Sequence, residues 1–160
     1  MINEFEPITQ GILALIDDWE SRLVELSNDV VTQKQNSQNR TIKQIVGHLI
    51  DSASNNTHRI VHLQYQQSPF RFPNYATNGN NDRWIAIQNY QAEDWKNMIN
   101  MWKYSNLHIV HVIKNVNSSK LGNQWYYSEE RLISLKDGII DYLKHLKLHL
   151  SEIDDLIAKE

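Results

Sequence analysis

The chain has 160 residues, a formal net charge of -3 and no cysteine. That length suits a single domain, 1–160, with a sizeable core, and the missing cysteines exclude disulfides, thiolate metal sites and a cysteine nucleophile. The charge is mild and scattered, so no nucleic-acid partner is expected, and no apolar run approaches the roughly 18–20 residues that a membrane span needs.

The first residues, Met1-Ile2-Asn3-Glu4-Phe5-Glu6-Pro7, lack the basic start and apolar run of a signal peptide, which predicts a cytoplasmic protein. Ile8, Ile12, Leu15, Ile16, Trp19, Leu23, Leu26 and Val30 then recur at helical spacing and predict a first amphipathic helix over 7–30. Pro7 fits its first turn, where the missing N–H costs nothing. Residues 32–40 are polar and read as a linker.

Thr41-Ile42-Lys43-Gln44 reads as a capping box. It opens a second helix, with a stripe of Ile42, Ile45, Val46, Leu49, Ala53 and Ile60, running to about Gln67. Pro69, Pro73 and Asn78-Gly79-Asn80-Asn81 make 68–83 a long exposed loop. A third helix carries Trp95, Met98, Ile99, Trp102, Ile109, Val110 and Ile113 on one side, and 115–127 is a second connection. Ser128 followed by Glu129 and Glu130 reads as the start of the last helix, whose stripe runs from Leu132 to Ile157. With few glycines, no internal repeat and no convincing alternating strand, the fold class is all-α, a four-helix bundle with two long connecting loops.

His145 and His149 stand four residues apart in the last helix, which stacks both imidazoles on one face, close enough to share a metal ion. His48 in the second helix is a third candidate. The spacing alone is weak, because His58 and His62 repeat it and His108 and His111 form another one-turn pair. The helical wheel separates them. His58 and His62 point away from the apolar stripe and read as solvated, His111 projects from the polar side, and His108 lies off the stripe. His145 and His149 fall on a flank, in register with Gly138 and Tyr142, and His48 falls on a flank with Ser52, Asn55 and Arg59. A half-buried flank suits a ligand at a pocket mouth, and it equally suits a boundary histidine with one wet edge.

Two polar residues need separate explanations. Asn106 lies within the third helix's apolar face, so its amide must bond a neighbouring helix or line a cavity. Asp51, three residues after His48, either accepts from an imidazole N–H or is a solvated carboxylate, the reading its wheel position favours.

The stretch Thr41-Ile42-Lys43-Gln44-Ile45-Val46-Gly47-His48-Leu49-Ile50-Asp51-Ser52-Ala53-Ser54-Asn55-Asn56-Thr57-His58-Arg59 resembles the second-helix signature of the DinB/YfiT-like family: a histidine, then Asp-Ser, an asparagine and an arginine. The resemblance continues through Phe72-Pro73-Asn74-Tyr75, Trp84, Trp95, Trp102, Asn106 and His108. It closes on Asp141-Tyr142-Leu143, His145, His149-Leu150 and Ile153. It implies an up-down-down-up bundle that binds a divalent ion, usually zinc or nickel, through three histidines, which fall here on His48, His145 and His149. Asp51, Asn55, Arg59, Asn106 and Tyr142 are candidates for contacting substrate or holding the ligand rings. The family's name refers to DNA-damage induction, and nothing in the chain resembles the polymerase that shares it.

The resemblance further implies an enzyme, a thiol S-transferase that joins a low-molecular-weight thiol such as bacillithiol or mycothiol to a small electrophile. The substrate would be held by aromatic residues from the long connections (Trp84, Trp125, Tyr126, Tyr127), and Arg59 would bind an anionic group of the thiol co-substrate or a surface carboxylate. One alternative is a metal-dependent hydrolase using metal-bound hydroxide, against which stands the lack of a glutamate at an obvious place beside the histidines. The other is a non-enzymatic ligand-binding bundle. The partners expected are small molecules, with a homodimer allowed.

Overall fold

The computed structural model describes residues 4–158; Met1, Ile2 and Asn3 of the expected leaderless start lie outside them. Helix α1, Glu6–Val24, carries Pro7 in its first turn as expected, but it stops short of Val30. Ser27 starts a new short helix, α2, Asn28–Gln33, by accepting from the Val30 amide. A serine hydroxyl that competes for nearby amides favours a fresh helix start over a helix interior, so the single helix over 7–30 becomes two.

Helix α3, Ile42–His62, opens on the expected capping box. The Thr41 hydroxyl accepts from the Gln44 amide at 3.3 Å, and the Gln44 side chain accepts from the Thr41 amide at 2.9 Å. It ends at His62 rather than near Gln67, in a run of turns over 63–66. The following loop is not wholly irregular. Asn78 and Gly79 take positive φ values of 57° and 74° and launch α4, Asn80–Gln88. Glycine adopts that conformation without penalty and asparagine tolerates it.

Helix α5, Trp95–Lys114, is capped by Asp94, whose carboxylate accepts from the Asn97 amide at 2.8 Å. The second connection holds a strand, β1, Gln124–Tyr126, paired antiparallel with β2, Leu132–Ser134. Strands this short carry no readable alternation. Ser128, Glu129 and Glu130 lie between the two strands, where the Tyr127 amide donates to the Arg131 carbonyl at 2.8 Å. The last helix therefore starts later than expected: α6 is Leu135–Ala158, and Ser134 receives the Asp137 amide at 3.0 Å.

The four long helices form a ring in which α1 and α3 each pack on both α5 and α6. Cross-helix contacts fix their directions. The Trp95 indole at the start of α5 donates to the Leu23 carbonyl at the end of α1, so these two are antiparallel. Lys136 with Glu4 and Arg22 with Asp154 join matching ends of α1 and α6, which are parallel. His48 meets His149 while Ser52 meets His145, so α3 runs against α6. The order is up-down-down-up.

Trp102, Ile12, Leu49, Ile109, Ile139 and Leu146 fill the centre. Tyr90 packs so closely on α3 that a Cβ at Gly47 would run into its ring. Among the described residues no helix is long and apolar enough to cross a membrane.

Candidate metal centre

His48, His145 and His149 come together between α3 and α6, with one potential ligand atom from each lying within 4.8 Å of the others. The antiparallel packing produces this meeting. His48 is in the second turn of α3, and the two histidines of α6 are stacked one turn apart on the face that α3 covers. His48 Nε2 lies 3.2 Å from His145 Nε2, which lies 3.0 Å from His149 Nε2. Two imidazole nitrogens on one tetrahedral zinc, each at about 2.0–2.1 Å, stand about 3.3 Å apart. These two spacings match ligation of one ion.

Proton placement argues the same way. Ser52 Oγ lies 3.3 Å from His145 Nδ1, and Glu152 Oε2 lies 3.0 Å from His149 Nδ1. When each Nδ1 carries the proton of its contact, both Nε2 atoms present bare lone pairs to one another. In that arrangement His48, whose Nδ1 is buried without a partner, can carry its proton on Nε2, and that proton reaches only the His145 contact. A shared cation satisfies all three nitrogens. Burial, then the neighbouring His149 and His145, pull the His48 pKa down to about 2, and burial, then His149, pull His145 down to about 4. Both rings are neutral at physiological pH, the form that ligates metals.

Glu152 corrects the expectation that no glutamate stands beside the histidines. It sits three residues after His149, on the same face of α6, and its Oε2 also accepts from Asn36 at 3.2 Å. Its contact is to the back of the ring, so it orients His149 rather than facing the open side of the cluster. Helical spacing signals both Glu152 and Ser52, since each lies one turn from a candidate histidine.

Asp51 is not the solvated carboxylate that its wheel position suggests. It is buried, and Oδ1 accepts from the Tyr90 hydroxyl and the Gln88 amide, both at 2.7 Å. Burial raises its pKa against those two hydrogen bonds. No hydrogen bond joins it to His48 among the described residues. It ties the α4 segment to α3, a long-range contact that a helical wheel cannot display. Asn106 bonds a neighbouring helix. Its Oδ1 accepts from the buried Tyr142 hydroxyl at 2.6 Å, and its Nδ2 donates to the Trp102 carbonyl at 2.7 Å. Asn55 donates to the Asp51 carbonyl within its own helix and lies away from the pocket.

A pocket of about 260 Å³ opens beside the cluster, with Ser52, Arg59, Tyr75, Trp125, Tyr142 and His145 in its wall. Trp125 packs so tightly against α6 that only a glycine fits at 138. Tyr127 also lines this pocket, whereas Tyr126 lines an adjoining cleft of about 690 Å³. Trp84 lines neither and is 38% exposed against the edge of Tyr75. Tyr75 lines the pocket instead.

Among the other histidines, His58 is exposed as expected, and His108 and His111 are exposed too. His62 is half-buried, a correction to the solvated reading. It stacks on Phe70 at 6.0 Å between ring centroids and meets the Tyr65 hydroxyl at 2.6 Å.

No family model and no curated protein matches this chain. Solved structures do. YfiT from Bacillus subtilis, a probable metal-dependent hydrolase with an unusual four-helix bundle topology, matches over 98% of this chain and 87% of its own, with a TM-score of 0.80 at 14% identity. The chain has the DinB/YfiT-like fold. A mycothiol-dependent maleylpyruvate isomerase matches over 93% of this chain and 60% of its own, with a TM-score of 0.75 at 9% identity. A histidine-to-alanine mutant of that isomerase matches equally well. The chain thus spans less than two thirds of the isomerase.

Proposed function

We propose that the chain is a cytoplasmic, metal-dependent thiol S-transferase, in which His48, His145 and His149 hold a divalent ion and a low-molecular-weight thiol attacks a small electrophile. The convergence of three imidazoles at the side of an aromatic pocket carries the reading. A divalent ion in such a site supplies Lewis acidity, which makes a thiol or water that reaches it a stronger nucleophile at neutral pH. Zinc or nickel suits neutral nitrogen donors.

The remaining steps belong to this chain's own residues. Ser52 and Glu152 hold the His145 and His149 rings with their Nε2 atoms inward. Tyr75, Trp125 and Tyr142 wall the pocket and exclude water from one side of the electrophile. The chain has no cysteine, so the sulfur must come from a co-substrate, and the adjoining cleft has room for one. The thiol-dependent isomerase among the structural matches supports a thiol co-substrate.

Hydrolysis is the second reading, supported by the YfiT match and by Asp141, which lines the pocket one turn before His145. Asp141 is exposed and paired with Lys144 at 3.1 Å, a weak position for a general base. Thiol consumption by the metal-loaded protein, measured over a panel of thiols and electrophiles, separates the two. Turnover that requires a thiol supports the transferase, and product release without any thiol supports the hydrolase.

A further inference from the structure

Arg59 sits where the pocket beside the histidines meets the outer cleft, since it lines both. Among the described residues it is the one arginine that is withdrawn from solvent without a carboxylate. Three of the described arginines are not exposed: Arg22, Arg40 and Arg59. Arg22 pairs with Asp18 and Asp154, and Arg40 with Asp82. For Arg59 there is no ion pair among the described residues, and its one hydrogen bond is a long contact of 3.4 Å from Nη1 to the Asn56 side chain. A guanidinium has five N–H donors, and partial desolvation of an unpaired charge is costly. The surface ion pair expected as one reading of this residue is absent.

Its surroundings fix it in place. The guanidinium carbon lies 5.2 Å from the centre of the Tyr75 ring and 5.6 Å from that of Trp125, which restricts the fork to a narrow slot. Burial lowers its pKa, with Tyr75 and Tyr127 opposing, and no carboxylate contributes. Seven residues of helix separate Arg59 from Ser52, the partner of His145, an axial distance of about 10 Å. Side chains on a helix lean toward its N-terminus, here toward His145.

We propose that Arg59 anchors a carboxylate on the small electrophilic substrate, whose body lies between Tyr75 and Trp125 with its far end toward the histidines. This rests on the pocket being the reaction site. A carboxylate matches the guanidinium fork with two parallel hydrogen bonds. The pocket of about 260 Å³ lies just below the roughly 300–1,000 Å³ common for drug-sized ligands, which suits a compact acid and leaves the larger co-substrate to the outer cleft.

The test compares phenylacetate with the neutral phenylacetamide by isothermal titration calorimetry. Wild-type protein should bind the acid at least about tenfold more tightly, as expected for a charge-assisted pair. Arg59→Gln should bring that ratio near one, and Arg59→Lys should keep part of it, while both retain wild-type metal content. The Lys variant still decides the matter if the Gln variant does not fold. His149→Ala, made to empty the metal centre, should keep the preference. A wild-type ratio near one, or a preference unchanged in Arg59→Gln, overturns the assignment. A preference lost in His149→Ala but kept in Arg59→Gln also overturns it, because the anion then sits on the metal. Failure of the metal centre with an Arg59-dependent preference intact would sink the proposed reaction and leave this anchor standing.

Discussion

Glu152 Oε2 lies 3.0 Å from His149 Nδ1 and, through the same oxygen, 3.2 Å from the Asn36 side-chain amide. The carboxylate is thus tied to the segment after α2, and it holds the imidazole with its opposite nitrogen facing His145. Loss of a group that orients a ligand ring commonly costs about 10–100-fold in metal affinity. Glu152→Ala should weaken zinc binding by about that factor, measured by competition with a chromophoric chelator. An unchanged affinity would show that packing alone sets the His149 ring.

The Tyr142 hydroxyl and Asn106 Oδ1 form a buried hydrogen bond between α6 and α5. Tyr142→Phe leaves the asparagine oxygen without that donor, at a cost of about 1–3 kcal/mol. For a chain of this size each kcal/mol lowers Tm by about 2–4 °C. Thermal unfolding followed by circular dichroism should therefore shift down by several degrees. A Tm within a degree of wild type would mean that water or a shifted side chain replaces the hydroxyl.

What the sequence made legible was what depends on local periodicity. The stripes of α3, α5 and α6, the Thr41 capping box and the shared face of His145 and His149 all follow from helical spacing. The misreadings have local causes as well. Ser27 interrupts an otherwise continuous apolar pattern with a hydroxyl that caps a new helix. Ser128 with its two glutamates imitates a helix start, while Ser134 with Asp137 makes the real one six residues later. The burial of Asp51 beneath Tyr90 and Gln88, the aromatic packing of His62 and the unpaired charge of Arg59 depend on segments far apart in sequence, and no wheel of one helix can display them.

His58 and His62 repeat the four-residue spacing of His145 and His149, but they lie outside the histidine cluster. Replacing both with alanine should leave metal content unchanged, as read by elemental analysis. His62 gives up its Phe70 stacking and its Tyr65 contact, so a loss of about 1 kcal/mol in stability is expected alongside. Loss of metal in this variant would move the site to His58 and His62.

Stability of the metal-free protein should fall with acid. Burial holds the folded pKa of His48 at about 2 and of His145 at about 4, both below the ordinary 6.5. A depressed folded value gives stability that is present above the unfolded pKa and is lost as pH falls, because the unfolded chain takes up protons that the folded one does not. The loss should begin near pH 6.5, with His145 and His48 both contributing down to about pH 4 and His48 alone below that. Asp51, with its raised pKa, works in the opposite direction, and one carboxyl offsets only part of two imidazoles. After chelator treatment, Tm should decline from pH 6.5 to 4, and the His48→Ala, His145→Ala double variant should decline less. An equal slope in both proteins would mean that other groups govern the acid response.

The most direct test is the metal content of protein purified without an affinity tag, compared between wild type and His149→Ala. One divalent ion per chain is expected in the wild type, with anomalous scattering from a crystal locating it among the Nε2 atoms of His48, His145 and His149. His149→Ala should lose most of that metal yet remain helical, since the apolar stripes that build the bundle do not depend on the ring. A wild-type protein that binds no divalent ion even after loading, or a His149→Ala variant that keeps a full equivalent, would contradict the metal centre.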